Sequence, residues 1–398
     1  MSKSCRACLS RALAPILDCG EMPLAGGFLS GREAIAREQR YPLVIYACED
    51  CGLVQIIDPV DPEVLFQDYS FSSSTIPQLV EHFTGYAGWL VNRFQPRTVV
   101  EFGANDGVLV APLGALGVKA VGVDISGNIT AMAREKGLDI VTGYFNPDTA
   151  RSLRQRLGAV DVVTGSNAFA HNEQPGLILE GADIVLGDRG VLCLEFMYAG
   201  DLLEQLQWDT LYHEHLTFYS LGTLSRLLRR YGFHVFHAER LPMHGGSLRI
   251  AASRQADRPI TPEMAAVQAY EERLKLNDVA TWKAFGSQIH HKIQIVGDTL
   301  SRLAKNSRIW GYGAAGKATL WVNAAKLDFL EAVVDASPLR AGKLMPGTHT
   351  PIVFPDKLRE NPPDYIFVTA WNYADVIRKK ESWFQGIWVT PLPDCRFF

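Results

Sequence analysis

Between Pro96 and Phe196, short β-branched runs alternate with segments whose apolar residues recur every three or four positions. The runs are "RTVVEFG", "KAVGVDIS", "VDVVTGSNA" and "GVLCLEF". That alternation predicts a parallel sheet with crossover helices. "LGTLSRLLRRYGF" has helical spacing and leads into two more strand-like runs, "HVFHAERL" and "GSLRIAAS". From Pro262 to about Lys305 the chain is charged, apolar at helical spacing and almost without glycine, which predicts one or two long connecting helices. A second α/β pattern follows in "SRIWGYGAAGKATLWVNAA", "LEAVVDASPLR" and "DYIFVTAWN". Residues 1–68 differ: they are rich in Cys, Gly and Pro, lack a helical period, and predict a small loop-rich module. The expected organisation is α/β in three units: 1–68, 69–258, and 259–398 with the helical connector at its start. No tandem repeat or low-complexity tract interrupts it.

Composition changes this picture little. The 398 residues are 47% hydrophobic and 21% charged, ordinary for a globular chain with several cores. A net charge of -4 without a long Lys/Arg run argues against nucleic acid or an anionic membrane surface as the main partner. No apolar stretch approaches the roughly 20 residues of a membrane span, and "MSKSCRACLS" has no apolar signal region. A cytoplasmic location is expected, with the seven cysteines as reduced thiols or metal ligands.

Four of those cysteines form two knuckles, Cys5 and Cys8 in "CRAC" and Cys48 and Cys51 in "CEDC". The C-x-x-C spacing lets two sulfurs of one turn point at one ion, and two such pairs suit one tetrahedral Zn2+. A redox C-x-x-C normally opens a helix in a thioredoxin-like unit, a context missing from both pairs. Four thiolates leave no open coordination position, so the expected metal is structural.

"VVEFGANDGVLVAPL" reads as strand, tight turn and helix. Gly103 and Gly107 allow close approach of the backbone to a ligand, and the helix N-terminus favours a carboxylate there. Glu101 precedes the turn. Asp124 ends the next strand, where an acid accepts both hydroxyls of a ribose. The spacing departs from G-x-G-x-x-G, and the Asn105–Asp106 pair suits an amino-acid carboxylate and amine better than a pyrophosphate. S-adenosylmethionine (SAM) is therefore expected over NAD. In "GSNAFAHN" the strand ends at the carboxyl edge of the sheet, where ligands bind. Asn167 and Phe169 are candidates for the cofactor and His171 for a substrate.

"LYHEHLTFYS" places His213 and His215 two residues apart, whereas a two-histidine metal site on a helix needs i, i+4. Three readings stay open: metal binding, satisfied structural histidines, and proton chemistry. For the last, an imidazole is a base near neutrality, Glu214 can orient or polarise it, and Tyr212 can donate to a carbonyl or enolate oxygen. The cluster follows "GVLCLEF", so it should lie near the same sheet edge.

"IWGYGAAGKATLWVNAA" fits G-x-G-x-x-G at Gly311, Gly313 and Gly316, followed by Lys317, with Asp335 ending the next strand. A dinucleotide site, a nucleotide-sugar site and a purely structural turn are all compatible with it. In "MHGGSLRI", His244, Gly245 and Gly246 either line a substrate pocket or make a tight turn between strands.

Taken in order, these motifs resemble the three-domain sugar C-methyltransferases that act on nucleotide-linked 4-keto-deoxysugars. The matching stretches are the cysteine knuckles, "LDCGEMPLA", "YSFSSSTIPQLVEHF", "EFGANDG", "FAHN", "YHEH", "HGGSLRI", "GYGAAGKATLWVN" and "WNYADVI". The resemblance implies a zinc-binding N-terminal domain and a class I Rossmann-like SAM methyltransferase domain. It also implies a second Rossmann-like C-terminal domain that helps hold the sugar nucleotide, a dTDP, CDP or GDP derivative. It makes His215 the base that removes a proton beside the ketone, and puts Tyr212, Glu214, Tyr69 and His171 in the active site. The competing expectations are O- or N-methylation by the same fold, an NAD-dependent oxidoreductase built on the second glycine turn, and a zinc-ribbon interaction module with degenerate catalytic domains.

Overall fold

The computed structural model describes residues 3–66 and 72–398, apart from the side chains of Glu63, Phe66 and His244. The chain builds three sheets. The first contains β1 (Leu13–Pro23), β2 (Arg40–Cys48) and β3 (Val54–Ile56), paired antiparallel. The N-terminal unit is thus a small antiparallel sheet rather than the loop-rich module its composition suggested. Alternation in "PLVIYAC", with Leu43, Ile45 and Ala47 buried, is the local signal for it.

The central sheet runs through β4 (Thr98–Phe102), β5 (Lys119–Asp124), β6 (Ile140–Thr142), β7 (Val160–Ser166) and β8 (Leu186–Met197), all parallel. Next in the chain comes β9 (Thr217–Phe218), which leaves this sheet and pairs with β3 of the first. The chain then returns for β10 (His234–Leu241) and β11 (Ser247–Ser253), which add antiparallel to β8. The spatial order is β10-β11-β8-β7-β4-β5-β6. The winding direction reverses between β4 and β7, so the carboxyl ends of these two strands open the crevice where ligands bind in such sheets.

The connector consists of two helices, Pro262–Leu274 and Val279–Leu303. The first is fastened by Glu271, a buried carboxylate that accepts from Gly222 N at the start of helix Leu221–Arg230 and from the Tyr198 hydroxyl. The last sheet holds β12 (Ile309–Tyr312), β13 (Val333–Val334), β14 (Ile352–Val353), β15 (Tyr365–Val368), β16 (Ile387–Thr390) and β17 (Arg396–Phe397). Its order is β14-β13-β12-β15-β16-β17, parallel except at β17. One continuous apolar cluster runs from Cys5 and Val54 through Leu194 and Phe218 to Trp321 and Val389, so the three units share a core. Among the described residues, no helix is long and apolar enough to cross a membrane.

Candidate functional site

The two cysteine knuckles are built alike. Cys5 N donates to Ser10 O and Cys5 O accepts from Leu9 N; Cys48 N donates to Leu53 O and Cys48 O accepts from Gly52 N. The closing residues Leu9 and Gly52 are left-handed, with φ of 65° and 77°. The four sulfurs lie within 4.8 Å of one another. Cys5–Cys51 and Cys8–Cys48 are 3.6 and 3.5 Å apart. A tetrahedron with Zn–S bonds of about 2.3 Å has edges of about 3.8 Å, so the cluster is the size of a four-cysteine zinc site. Among the described residues, no other group of three or more His, Cys, Asp or Glu side chains converges in this way.

Strand β3 follows the second knuckle and β9 follows "YHEH". Their pairing, extended by Ile56 N donating to Leu216 O, puts the zinc module one strand from the histidine cluster. The cluster's residues diverge. His213 turns to the first sheet: Nε2 lies 3.3 Å from Tyr41 O, the ring meets Tyr41 edge-on, and burial lowers its pKa. His215 turns the other way. Its Nδ1 donates to Thr210 O at 2.7 Å, so Nδ1 carries a proton and the ring's direction is set. Its ring lies 4.1 Å from that of Tyr212 and meets His171 edge-on at 5.0 Å. Leu216 N donates to Ala170 O, so "FAHN" and "YHEH" are stitched together by backbone. Burial lowers the pKa of His171, against backbone hydrogen bonds to Glu214 and Asn167 that raise it. Burial also pushes Glu214 up to about 7. Glu214 rests against the Gly26 turn of the first unit, where a Cβ would come within 3.2 Å of its Oε1. Tyr69 lies outside the described residues.

The first glycine turn sits at the sheet reversal. Asn105 is left-handed (φ 49°), and Gly103 packs so tightly that a Cβ would lie 2.3 Å from that of Ala168. A Cβ on Gly107 would meet Leu138 equally closely. Asp124 braces the turn by accepting from Asn105 N and Ser126 N, both at 2.9 Å. Asn105 and Asp106 hold the preceding segment: Asn105 Oδ1 accepts from Ser73 N, and Asp106 from the Ser72 and Ser74 hydroxyls and from Lys136. Burial opposes ionisation of Asp106, but the two serines and Lys136 outweigh it and hold its pKa below the usual range.

Two buried oxygens at this edge, Glu101 Oε2 and Asn167 Oδ1, have no hydrogen-bond partner among the described residues. Burial and the nearby charges of Asp124, Glu195 and Asp106 push the Glu101 carboxyl well above its usual range. Glu195, at the end of β8, is paired with Arg249 at 2.5 Å and His82 at 2.7 Å. A crevice with converging carboxylates and orphaned acceptors suits a cationic ligand, as the ammonium and sulfonium of SAM are, and not a pyrophosphate. Phe169 is fully buried between Phe102 and Tyr219, and so braces the floor of this edge.

The second glycine turn faces the same cluster. A Cβ on Gly316 would lie 3.3 Å from Tyr212 Cζ and from Ala25 Cβ, and one on Gly313 would lie 2.6 Å from Ala370 Cβ. Gly313 is required by this packing, whereas a side chain at Gly316 would need its neighbours to give by a few tenths of an ångström. Asp335 braces this turn as Asp124 braces the first, accepting from Ala314 N and Ser337 N at 2.8 Å. Lys317 Nζ lies 3.7 Å from Asp209 Oδ1 and 5.1 Å from the Trp371 ring centroid. Gly245 and Gly246 form the turn between β10 and β11, against Gln207 and Asp201; the Gln207 amide donates to Gly245 O.

The structure therefore brings His171, Tyr212, Glu214, His215, Gly316 and Lys317 to one place, beside the edge carrying Glu101, Asp124 and Asn167. Sequence reasoning did not find the Thr210 carbonyl that orients His215, the Asp209 carboxylate beside Lys317, or the serines that hold Asp106. The first two lie just upstream of "YHEH"; a backbone carbonyl has no signature in sequence, and the partners of Asp209 come from the tertiary fold.

Three family models match the chain: a zinc binding domain over residues 5–66, a methyltransferase domain over 77–238, and a C-methyltransferase C-terminal domain over 242–393. The chain is 29% identical over 402 residues to the C-methyltransferase NovU of Streptomyces niveus, covering 98% of this chain and 96% of that one. Solved structures similar to part of it include magnesium protoporphyrin IX methyltransferase of Synechocystis PCC 6803 with bound SAH. It is 18% identical, with a TM-score of 0.35, covering 44% of this chain and 83% of that one. Another is the CcbJ methyltransferase of Streptomyces caelestis, 15% identical with a TM-score of 0.35, covering 43% and 88%.

Proposed function

Because this chain belongs to the SAM-dependent C-methyltransferases, with all three domains of that family in order, we propose that it methylates a carbon beside the ketone of a nucleotide-linked 4-keto-6-deoxysugar. The carbon assigned is C-3, and the nucleotide is dTDP, CDP or GDP. The observation that carries this reading is the tautomer of His215. In the neutral ring, Nδ1 donation to Thr210 O makes Nε2 the nitrogen that would take the proton.

A C–H beside a ketone becomes acidic when the enolate oxygen is stabilised by a positioned donor. Tyr212, whose ring lies 4.1 Å from that of His215, would supply one such donor, with His171 edge-on to His215 lining the same place. Glu214, partly protonated at neutral pH, can take up or release the proton that His215 collects. Tyr69 joins this set through the family resemblance. When bound, SAM supplies an electrophilic methyl group. Glu101, Asp124 and Asn167 would hold its cationic and ribose parts, with Gly103, Asn105, Asp106 and Gly107 shaping the turn and Phe169 its floor. Lys317 and the start of helix Gly316–Ala324 would hold the substrate's pyrophosphate, with Gly313 supporting their turn and the His244–Gly246 turn closing the far side. A neutral imidazole base, a neutral donor and no catalytic metal suffice, consistent with a zinc ion enclosed by four thiolates.

The NAD reading of the second glycine turn predicts nicotinamide binding and no methyl transfer from SAM. O- or N-methylation needs a base but no acidic C–H, so it predicts no exchange. Proton NMR of the protein with a panel of nucleotide 4-keto-6-deoxysugars in D2O, without SAM, decides between them. Loss of the proton beside the ketone is expected. No exchange across the panel, followed by methylation at oxygen or nitrogen, would overturn the carbon-directed mechanism.

A further inference from the structure

The base of the proposed reaction is oriented by the Thr210 carbonyl, which accepts both His215 Nδ1 at 2.7 Å and Tyr212 N at 3.1 Å. That carbonyl belongs to a single 3-10 turn, Trp208–Thr210, so its direction depends on what holds the turn. The answer is in another domain. Asp209, with no exposed surface, accepts at Oδ2 from Trp321 Nε1 at 3.0 Å and from Trp371 Nε1 at 2.7 Å. Trp208 meets Trp321 edge-on at 4.9 Å. The second oxygen, Oδ1, makes no hydrogen bond among the described residues and faces Lys317 Nζ at 3.7 Å; that ammonium is likewise without a hydrogen bond. A buried carboxylate joined to two indoles and one ammonium is an expensive arrangement unless it is well paired, and all three of these partners come from the C-terminal domain.

We propose that Asp209 is a positioning residue for the methyltransferase reaction. By fastening the Trp208–Thr210 turn to Trp321, Trp371 and Lys317 of the C-terminal domain, it holds the carbonyl that sets the tautomer and direction of His215. The C-terminal domain thus takes part in catalysis by orienting the base, independently of any contact it makes with the substrate. Trp371 belongs to the "WNYADVI" stretch, which otherwise has no role in the chemistry, and Lys317 adjoins the second glycine turn. This inference rests on the carbon-directed reading only for its kinetic readout.

Asp209→Asn keeps the side chain's shape but removes the charge and places an amide toward one of its donors. Trp371→Phe removes one donor from a half-buried position and tests the same link where folding is not at risk. Both variants should lower kcat, on the order of tenfold for Asp209→Asn, with KM for SAM unchanged in both and KM for the sugar nucleotide unchanged in Trp371→Phe, which leaves the carboxylate facing Lys317 in place. Deuterium wash-in beside the ketone should fall in parallel. A long-range 1H–15N correlation spectrum of 15N-histidine-labelled protein gives the independent signature, with the His215 signal identified by its absence in His215→Asn. Wild type should show Nδ1 protonated and Nε2 unprotonated, and the two variants should show mixed tautomers. An unchanged histidine spectrum with wild-type kcat would overturn the proposal. So would a loss of kcat accompanied by an equal loss of SAM affinity and of thermal stability in Trp371→Phe. If wild type exchanges no substrate proton at all, the carbon-directed reading fails, and the histidine spectrum still decides the role of Asp209.

Discussion

Replacing Glu214 by Gln should change how stability depends on pH. The residue is half-buried, and burial raises the carboxyl's pKa from 4.5 to about 7. For an acid whose pKa is raised on folding, the sign is as follows. Below pH 4 the group is protonated in both the folded and the unfolded chain and has no effect. As pH rises past 4.5 the unfolded chain releases the proton while the folded chain keeps it, so the fold loses stability relative to a neutral isostere. The loss levels off above the folded pKa. With 1.36 kcal/mol per pKa unit, the gap from 4.5 to about 7 corresponds to about 3 kcal/mol in full. Most of that falls between pH 5 and pH 8. Gln has the same shape and no charge, so Glu214→Gln should gain on wild type by that amount across this interval. The assay is urea unfolding of both proteins at pH 5, 6, 7 and 8 in the presence of zinc, with midpoints compared at equal slope. Parallel pH curves would refute the reasoning, because they would mean that the carboxylate is as well solvated in the fold as in the unfolded chain. A gain that shrinks as pH rises would refute it more strongly, by placing an unseen cation beside Glu214.

Three further outcomes are expected. His215→Asn should reduce methyl transfer and proton exchange by roughly 10²–10⁴-fold while leaving the SAM Kd, measured by calorimetry, within a factor of two or so of wild type; joint loss of both would make the residue structural. Cys48→Ser should lower the zinc content from one ion per chain and destabilise the protein, and it should also reduce activity, because β3 follows that knuckle and pairs with β9 beside "YHEH". A stable, active, zinc-free variant would refute this. Asp124→Ala should weaken SAM binding by about tenfold or more, since it removes a ribose acceptor and leaves Asn105 N without its carboxylate. The KM for the sugar nucleotide should not move, and an unchanged SAM Kd would take Asp124 out of the cofactor site.

Much of the fold is legible in the chain because its elements declare themselves locally. The runs ending in Phe102, Asp124, Ser166 and Met197 alternate with helices, and the parallel sheet follows. The cysteine pairs give the zinc site because a C-x-x-C knuckle is a local geometry, repeated here with the same backbone bonds at Cys5 and Cys48. What is not legible depends on contacts across the sequence. The N-terminal unit reads as loops because its strands carry prolines and a bulge, as between Pro15 and Leu17, although β1 and β2 pair along nearly their whole length. The two-residue strand β9 is too short to show a period, yet it ties the zinc module to the histidine cluster. Sequence points to the neighbouring Glu214 as the orienting partner of His215, because an acid beside a histidine is the usual arrangement. The structure uses a backbone carbonyl, which has no signature in sequence, and that carbonyl is held by Asp209 and two tryptophans far downstream. The glycines of the second turn fit a nucleotide-binding spacing, but Ala370 explains Gly313 through packing. A spacing motif records that the backbone must be approached closely, without recording by what.

The central claim is that the methyl group goes to carbon. The most direct measurement is to react the protein with SAM labelled with 13C in its methyl group and a nucleotide 4-keto-6-deoxysugar, then record the 13C NMR spectrum of the product. The account predicts a methyl resonance in the aliphatic range, correlated through carbon to a sugar carbon that has lost its proton. A methyl resonance at an oxygen- or nitrogen-bound shift, with every ring proton retained, would contradict it.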